Sequence, residues 1–81
     1  MTALVQVALK KTVLDPQGTA IQAALGKLGY TGIAGLRQGK VFEIEFAPGT
    51  ERAAAESQVE KAARDVLTNP VIEEYSIRWA K

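Results

Sequence analysis

Hydrophobic and polar positions alternate along the first segment of the chain, residues 3–10. Its two sides differ in character, with Val5, Val7 and Leu9 on one and Gln6, Ala8 and Lys10 on the other. A period of two residues matches the alternation of side chains along an extended chain. The segment is therefore predicted to be a half-buried β-strand.

The period then changes to that of a helix. Asp15 provides a side-chain oxygen that can cap the first amides, and Pro16 occupies the first helical position, where a missing N–H does no harm. Apolar residues recur at helical spacing at Ile21, Ala24, Leu25 and Leu28. Gly29 fits the position just past a helix end, so a helix is predicted over residues 16–28.

A hairpin is predicted next, in the segment IAGLRQGKVFEIEF at residues 33–46. Two extended halves flank Gln38-Gly39, which is interpreted as a two-residue turn with glycine at positive φ. The second half alternates cleanly, with Phe42, Ile44 and Phe46 set against Glu43 and Glu45. Pro48-Gly49 is expected to end this strand.

The pattern returns to a helical period at Thr50 or just after it. The apolar stripe of this second helix consists of Ala55, Val59, Ala62, Ala63, Val66 and Leu67. Asn69-Pro70 is expected to stop the helix, because the residue before a proline avoids helical backbone angles. A last strand is predicted within residues 71–80, with Tyr75, Ile77 and Trp79 on one face.

The element order β-α-β-β-α-β predicts an α+β protein with ferredoxin-like βαββαβ topology. We expect a single domain over residues 1–81, a two-layer sandwich whose four-stranded antiparallel sheet carries two helices on one face. The right-handed crossover predicts that strands one and three lie adjacent and parallel. The other face is expected to be polar and to carry Gln6, Ala8, Lys10, Glu43, Glu45, Glu74, Ser76 and Arg78. Two interpretations of that face stay open, a solvated surface and a charge-paired protein interface.

Composition limits the chemistry that the chain can carry. It has 81 residues, no cysteine, no histidine and a formal net charge of +1. Disulfides, zinc and iron–sulfur clusters, and Cys or Ser–His nucleophiles therefore lack their residues. The charge argues against nucleic acid or an anionic membrane as a partner. With no apolar run of membrane length and no leader-like N-terminus, a cytoplasmic location is expected.

Three local features remain as candidates for function. Glu43 and Glu45 lie about 7 Å apart along a strand, near the spacing of a catalytic carboxylate pair, but solvated charge is the favoured interpretation. Gly18 costs a helix about 1 kcal/mol relative to alanine, so either the first turn tolerates it or a side chain there would obstruct a docking partner. Arg37 and Lys40 form a basic cluster at the predicted hairpin tip, either for solubility or for docking.

Longer motifs resemble a known family. V-x-V-x-L-K-x-x-V-L-D-P-Q-G-x-A spans residues 5–20 and AL-x-x-LGY spans residues 24–30. LRQGKVFEIEF follows at residues 36–46 and LTNPVIEEYSI at residues 67–77. In this order and without insertions, the motifs resemble the PurS family, the small subunit of phosphoribosylformylglycinamidine (FGAM) synthase.

The resemblance implies a subunit of an ATP-dependent carbon–nitrogen ligase that is not catalytic alone. In that family a PurQ-type glutaminase subunit releases ammonia. A PurL-type synthetase subunit uses ATP and Mg to convert formylglycinamide ribonucleotide to formylglycinamidine ribonucleotide. The small subunit is a homodimer or homotetramer that brings the two together and binds no cofactor or metal itself, and the small size of the chain also favours self-association. The candidate partner-interface residues are Asp15, Gln17, Gly18, Arg37 and Lys40.

Two other classes share the predicted topology. The main alternative is a stand-alone amino-acid-binding regulatory domain of the ACT type, which ligand-dependent thermal stabilisation would support. An acylphosphatase-like enzyme would need an arginine and an asparagine that converge on a phosphate-binding loop after the first strand. Residues 10–16 offer no such loop, and topology alone does not confer function.

Overall fold

An antiparallel sheet and two helices make up the structure, a computed structural model that describes residues 1–80. The elements in chain order are β1 (Thr2–Leu9), α1 (Pro16–Lys27), β2 (Gly39–Glu45), α2 (Arg52–Ala62), a π-helical turn (Ala63–Leu67) and β3 (Glu73–Ala80). The α+β class is confirmed. The bounds of α1 agree with the prediction to one residue, and Gly29 lies beyond its end at φ 99°.

The sheet differs from the prediction in two respects. Within residues 1–80 it has three strands in the order β2-β1-β3, so the prediction of four strands is wrong for this chain by itself. β2 corresponds to the third of the four predicted strands. It pairs with β1 antiparallel, so the prediction that strands one and three are parallel is also wrong. The reason is that β2 opens with Gly39 directly beside Ala8, near the end of β1, and must therefore run back along β1.

The missing strand corresponds to the first half of the predicted hairpin, residues 33–37, which form neither helix nor strand. Gly39 lies in β2 and does not adopt positive φ, so the tight turn predicted at Gln38-Gly39 is wrong. The predicted end of the strand at Pro48-Gly49 is confirmed, since β2 ends at Glu45. Gly32 and Gly35 flank Ile33 and weaken any strand there, because glycine offers no side chain for packing. Residues 33–37 therefore pair with no strand of the sheet within residues 1–80.

The hydrophobic core lies between the sheet and α2. Its buried side chains come from β1 and from the α2 segment: Ala3, Val5, Val7, Val59 and Ala63. Half-buried side chains of β2, β3 and the π-helical turn pack around them: Phe42, Ile44, Phe46, Leu67, Tyr75, Ile77 and Trp79. The predicted inward faces of these strands are therefore confirmed.

Polar and aromatic contacts hold α2 against the rim of the sheet. The Phe46 and Trp79 rings stack with centroids 6.0 Å apart, and the guanidinium carbon of Arg52 lies 4.2 Å from the Trp79 ring centroid. The Tyr75 hydroxyl donates a hydrogen bond of 2.8 Å to Glu60 Oε1. α2 is thus held on the sheet by its apolar face and by polar contacts at its margins.

The end of α2 departs from the predicted apolar stripe. The chain widens into the π-helical turn, and Thr68 N–H bonds to Ala63 C=O five residues back at 3.1 Å. In this wider turn Leu67 stays on the core side, whereas Val66 is 77% exposed. The prediction that Val66 belongs to the core is wrong, because the extra residue per turn rotates it outward.

α1 does not pack on the sheet, so the prediction of two helices on one face is also wrong. Within Pro16–Lys27 the one buried residue is Gly18, while Ile21 is 41% and Leu28 75% exposed. The radius of gyration is 16.2 Å and the extents are 51 × 27 × 13 Å. A compact chain of this length has a radius of about 12 Å. We call residues 16–37, which comprise α1 and the segment after it, the arm.

Candidate functional site

Asp15 ties the two ends of the arm together. It precedes α1 and is 8% exposed. Its Oδ1 accepts from Gly18 N–H at 3.0 Å, as expected of an N-cap residue, and its Oδ2 accepts from Gln38 N–H at 2.8 Å. One carboxylate therefore bonds to the chain where the arm begins and where it returns to β2.

Arg37 closes the same junction from the other side. Its Nη2 donates to Leu9 C=O at 2.5 Å and to Lys10 C=O at 2.9 Å. These carbonyl groups lie at the end of β1, so Arg37 fastens the returning segment to the strand from which the arm departs. We call Asp15 and Arg37 with their four backbone partners, Leu9, Lys10, Gly18 and Gln38, the clasp.

The clasp stabilises the charged form of Asp15. The Gln38 amide and then the Gly18 amide hold the pKa of this carboxyl below its ordinary value of 3.8. Partial burial opposes that shift, and the nearby positive charge of Arg37 adds to it. Because both carboxylate oxygens already accept backbone hydrogen bonds, Asp15 acts as a structural anion rather than as a general base.

Two glycines allow the backbones around the clasp to approach closely. A Cβ atom on Gly18 would lie 2.6 Å from Asp15 Oδ2 and 2.7 Å from Leu36 C=O. A Cβ atom on Gly39 would lie 2.7 Å from Val7 C=O. The presence of Gly18 in the first turn of a helix thus has an intramolecular explanation, which is the room needed by the returning segment.

The two other candidate residues, Gln17 and Lys40, lie beside the clasp. Together with Asp15 and Glu73 they line an open cleft of about 260 Å³. Lys40 Nζ is 4.0 Å from Glu73 Oε2 and 5.5 Å from the Phe42 ring centroid. The structure therefore brings all five residues predicted from the sequence to the base of the arm, three within the clasp and two at the adjacent cleft.

The sequence predicted that α1 packs on the sheet, and the structure instead exposes most of its apolar residues. Ile21, Leu25 and Leu28 follow one another at helical spacing, and we call them the arm stripe. Leu25 is half-buried, whereas Ile21 and Leu28 are exposed. Tyr30 and Ile33, farther along the arm, are exposed as well. A stripe of this kind on a helix normally faces a core, whereas here it is largely open to solvent.

β2 presents the complementary surface. Within residues 1–80 its one neighbour in the sheet is β1, which leaves the backbone groups of its outer edge unpaired. Phe42, Ile44 and Phe46 are half-buried because α2 alone packs on that face. The chain therefore carries an uncovered helix and an uncovered half-sheet at the same time.

The open face of the sheet is polar, largely as predicted. Its exposed polar residues are Gln6, Glu43, Glu45, Glu74, Ser76 and Arg78. Lys10 lies just beyond the end of β1 instead of on it. The prediction overlooked Leu4 and Val41, which share this face by the strand register, and Val41 is 60% exposed.

Neither membrane nor metal chemistry is indicated by the part of the chain that the structure describes. Within residues 1–80 no helix has the length and apolar character needed to cross a bilayer. In the same residues, no three carboxylates or other ligand side chains form a group that could hold a metal ion.

The sequence matches a known family over almost its entire length. The family described as "PurS: Phosphoribosylformylglycinamidine (FGAM) synthase" matches residues 2–81. The phosphoribosylformylglycinamidine synthase subunit PurS of Mycobacterium leprae is 45% identical over 75 residues, which cover 93% of this chain and 90% of that protein.

Solved structures are similar as well. The crystal structure of PurS from Methanocaldococcus jannaschii, one of the subunits of formylglycinamide ribonucleotide amidotransferase in the purine biosynthetic pathway, has a TM-score of 0.82 and 34% identity. The alignment covers 95% of this chain and 92% of that one. A chain in the structure of PurLQS from Thermotoga maritima has a TM-score of 0.85 and 31% identity, with 95% and 93% covered.

Proposed function

Because this chain belongs to the PurS family, we propose that it is the small, non-catalytic subunit of an FGAM synthase of purine biosynthesis. It brings a PurL-type synthetase and a PurQ-type glutaminase together in the cytoplasm. The complex uses glutamine, ATP and Mg to amidate formylglycinamide ribonucleotide. The similarity to a chain of PurLQS is the observation that carries this proposal.

Reconstitution from separate subunits tests the assembly role. We would combine the synthetase and glutaminase of the same organism, with and without this chain, and measure formylglycinamidine ribonucleotide formation. Glutamine-dependent synthesis is expected to need all three proteins, whereas synthesis from added ammonium chloride is expected to need the synthetase alone. Full glutamine-dependent activity without this chain would overturn the proposal.

The subunit is expected to be a homodimer or homotetramer, and its uncovered surfaces support self-association, with a homodimer as the simplest form. Each fully buried large apolar side chain contributes about 1.5–3 kcal/mol, which the arm stripe forgoes in an isolated chain. If the arm of each copy packs across the β2 half of the other copy's sheet, both stripes and both half-sheets are covered. Such a reciprocal exchange is an economical route to a twofold dimer, because it reuses contacts that the fold already favours.

The same exchange supplies the strand that the single chain lacks. Residues 33–37, which were predicted to be a strand, pair with no strand within residues 1–80, and β2 has a free edge. Pairing of that segment with β2 of the second copy would give a four-stranded sheet with two helices on one face. The ferredoxin-like sandwich predicted from the sequence would then form between two copies.

Sedimentation velocity and hydrogen exchange test the exchange together. We expect a dimer at micromolar concentration, with slow amide exchange in residues 33–37 and in those amides of residues 41–45 that do not bond to β1, and this exchange should become fast on dilution. A monomer at all accessible concentrations would contradict the homodimer. A dimer in which these two segments exchange equally fast at all concentrations would contradict this mode of pairing.

Gln17 and Lys40 remain the candidate contacts to the synthetase or glutaminase. Gln17 is exposed, and Lys40 has a side chain that is 56% exposed, so neither is consumed by the clasp. We expect the double variant Gln17→Ala/Lys40→Ala to dimerise normally and to require more of the small subunit for half-maximal glutamine-dependent activity. The variant Glu56→Ala/Lys61→Ala, which changes two exposed side chains of α2, is the matched control.

A further inference from the structure

We propose that Asp15 and Arg37 are positioning residues for self-association. By holding both ends of the arm at the end of β1, they keep the arm stripe clear of its own sheet and available to a second copy. The inference rests on the homodimer proposed above, and it adds the residues that make the exchange intermolecular.

The geometry gives the clasp control over the direction of the arm. To fold back onto its own sheet, the chain would have to turn at two places, residues 10–15 and residues 37–39. Asp15, at the end of the first place, accepts hydrogen bonds from Gly18 at the start of α1 and from Gln38 within the second place. Arg37 fastens the second place to Leu9 and Lys10, where the first begins. Lys10 N–H also bonds to Ile72 C=O at 2.9 Å, which anchors the departure point to the segment before β3.

Opening the clasp would break hydrogen bonds to charged groups, which are stronger than bonds between neutral groups. It would also separate the close backbone contacts around Gly18 and Gly39, where no Cβ atom fits. The arm therefore lacks a flexible hinge at its base. In exchanged dimers the hinge decides whether an element pairs within its own chain or with another.

Two variants separate the clasp from ordinary helix capping. In Asp15→Ser the hydroxyl can still cap Gly18 N–H, because serine caps as well as aspartate, but a single oxygen cannot also reach Gln38 N–H. In Arg37→Met the bonds to Leu9 C=O and Lys10 C=O are lost while an unbranched side chain is kept. Lys11→Met is the control, since it removes an exposed charge from the loop between β1 and α1 and lies outside the clasp.

The expected result is a dimer dissociation constant about tenfold higher for both clasp variants and unchanged for the control. Helix content by circular dichroism should stay constant. The clasp proposal is wrong if Asp15→Ser and Arg37→Met dimerise like the unmodified chain. A role in capping alone predicts that Asp15→Ser has no effect and likewise contradicts it.

A distance measurement on dilute monomer keeps this test separate from the homodimer. The chain has no cysteine, so spin labels at Ala23→Cys on the arm and Ser57→Cys on α2 report one distance. We expect a narrow distribution that broadens and shifts to shorter distances in both clasp variants. If the unmodified chain never dimerises, the homodimer fails while this distance still tests the clasp. An equally narrow, unshifted distribution in the variants would overturn the clasp itself.

Discussion

The two helices start from similar sequence patterns and end in opposite environments. α2 and the π-helical turn after it bury Ala55, Val59 and Ala63, whereas α1 and the residue after it leave Ile21 and Leu28 exposed. α2 carries the smaller apolar side chains, so its axis can approach the sheet closely. α1 carries larger ones and meets no surface of its own chain. Amphipathic spacing thus predicts that a helix face will be covered, but not by which chain.

The core around α2 and the arm obtain their stability from different contacts. Within one copy, α2, β1 and β3 form a core with stacked rings and a cation–π contact at its margin. The arm depends instead on the clasp for its direction and on a second copy for its burial. Substitutions in the core formed by α2, β1 and β3 should therefore unfold the chain, and substitutions in the arm should dissociate the dimer.

The largest effect is expected at Val59, which is fully buried between α2 and the sheet. Val59→Asp places an unpaired carboxylate in the core and should lower the free energy of unfolding by about 4 kcal/mol. For a domain of this size that is most of its stability. Urea denaturation followed by circular dichroism should show a much lower unfolding midpoint for this variant.

Val66→Asp is the matched control for that prediction, since Val66 lies on the outside of the π-helical turn. The same substitution there should change the free energy of unfolding by less than about 1 kcal/mol. Equal losses at both positions would mean that the π-helical turn does not rotate Val66 away from the core.

The second effect concerns the arm stripe. Ile21→Asp should leave the unfolding of an isolated copy almost unchanged but raise the dimer dissociation constant roughly 100-fold, as expected for an apolar anchor at the centre of an interface. Ala23→Asp, on the opposite side of α1, is the control and should dimerise normally. Normal dimerisation by Ile21→Asp, measured by sedimentation equilibrium, would exclude the arm stripe from the interface.

Much of the fold could be predicted from the sequence because local signals agree with the structure there. Asp15-Pro16 and Gly29 mark the ends of α1, and the alternation at residues 42–46 identifies the inward face of β2. The missing strand could not be foreseen in the same way. Whether residues 33–37 pair depends on where β2 meets a neighbour, which is a long-range outcome that no local pattern encodes.

The role of the candidate residues at a partner interface stays a prediction. Asp15, Gly18 and Arg37 are close together, and their contacts are intramolecular. The segment around Leu36 approaches Gly18 from 18 positions away in sequence, so helix propensity alone could not explain the glycine. The exposed arm stripe had a sequence signal, its helical spacing, which fits a core and an interface equally well.

The third effect contrasts two glycines of α1. Gly18→Ala should lower the free energy of unfolding by about 2 kcal/mol, because the new methyl group overlaps Asp15 and the backbone of Leu36. Gly26→Ala, with no atom within 4 Å of its Cβ position, should instead stabilise the chain by up to about 1 kcal/mol through helix propensity. Chemical denaturation of both variants measures this reversal of sign. Stabilisation by Gly18→Ala would show that the returning segment does not approach α1 closely.

The smallest expected effect is a pH dependence of stability, to which Asp15 at the base of the arm and Asp65 beside α2 both contribute. Because its pKa is lower in the folded chain than the ordinary 3.8, Asp15 contributes stability that is present above that value and is lost as the pH falls through the lower, folded-state pKa. Asp65, whose pKa is lowered by its hydrogen bond to Arg64, contributes with the same sign beside α2. Carbon-13 titration of both carboxyls should show low pKa values, and Asp15→Ser should remove the acid-induced release of the arm but keep the Asp65 titration. An Asp15 carboxyl that titrates at or above 3.8 in the folded chain would mean that the clasp is open in solution, and the arm would then owe its direction to the second copy alone.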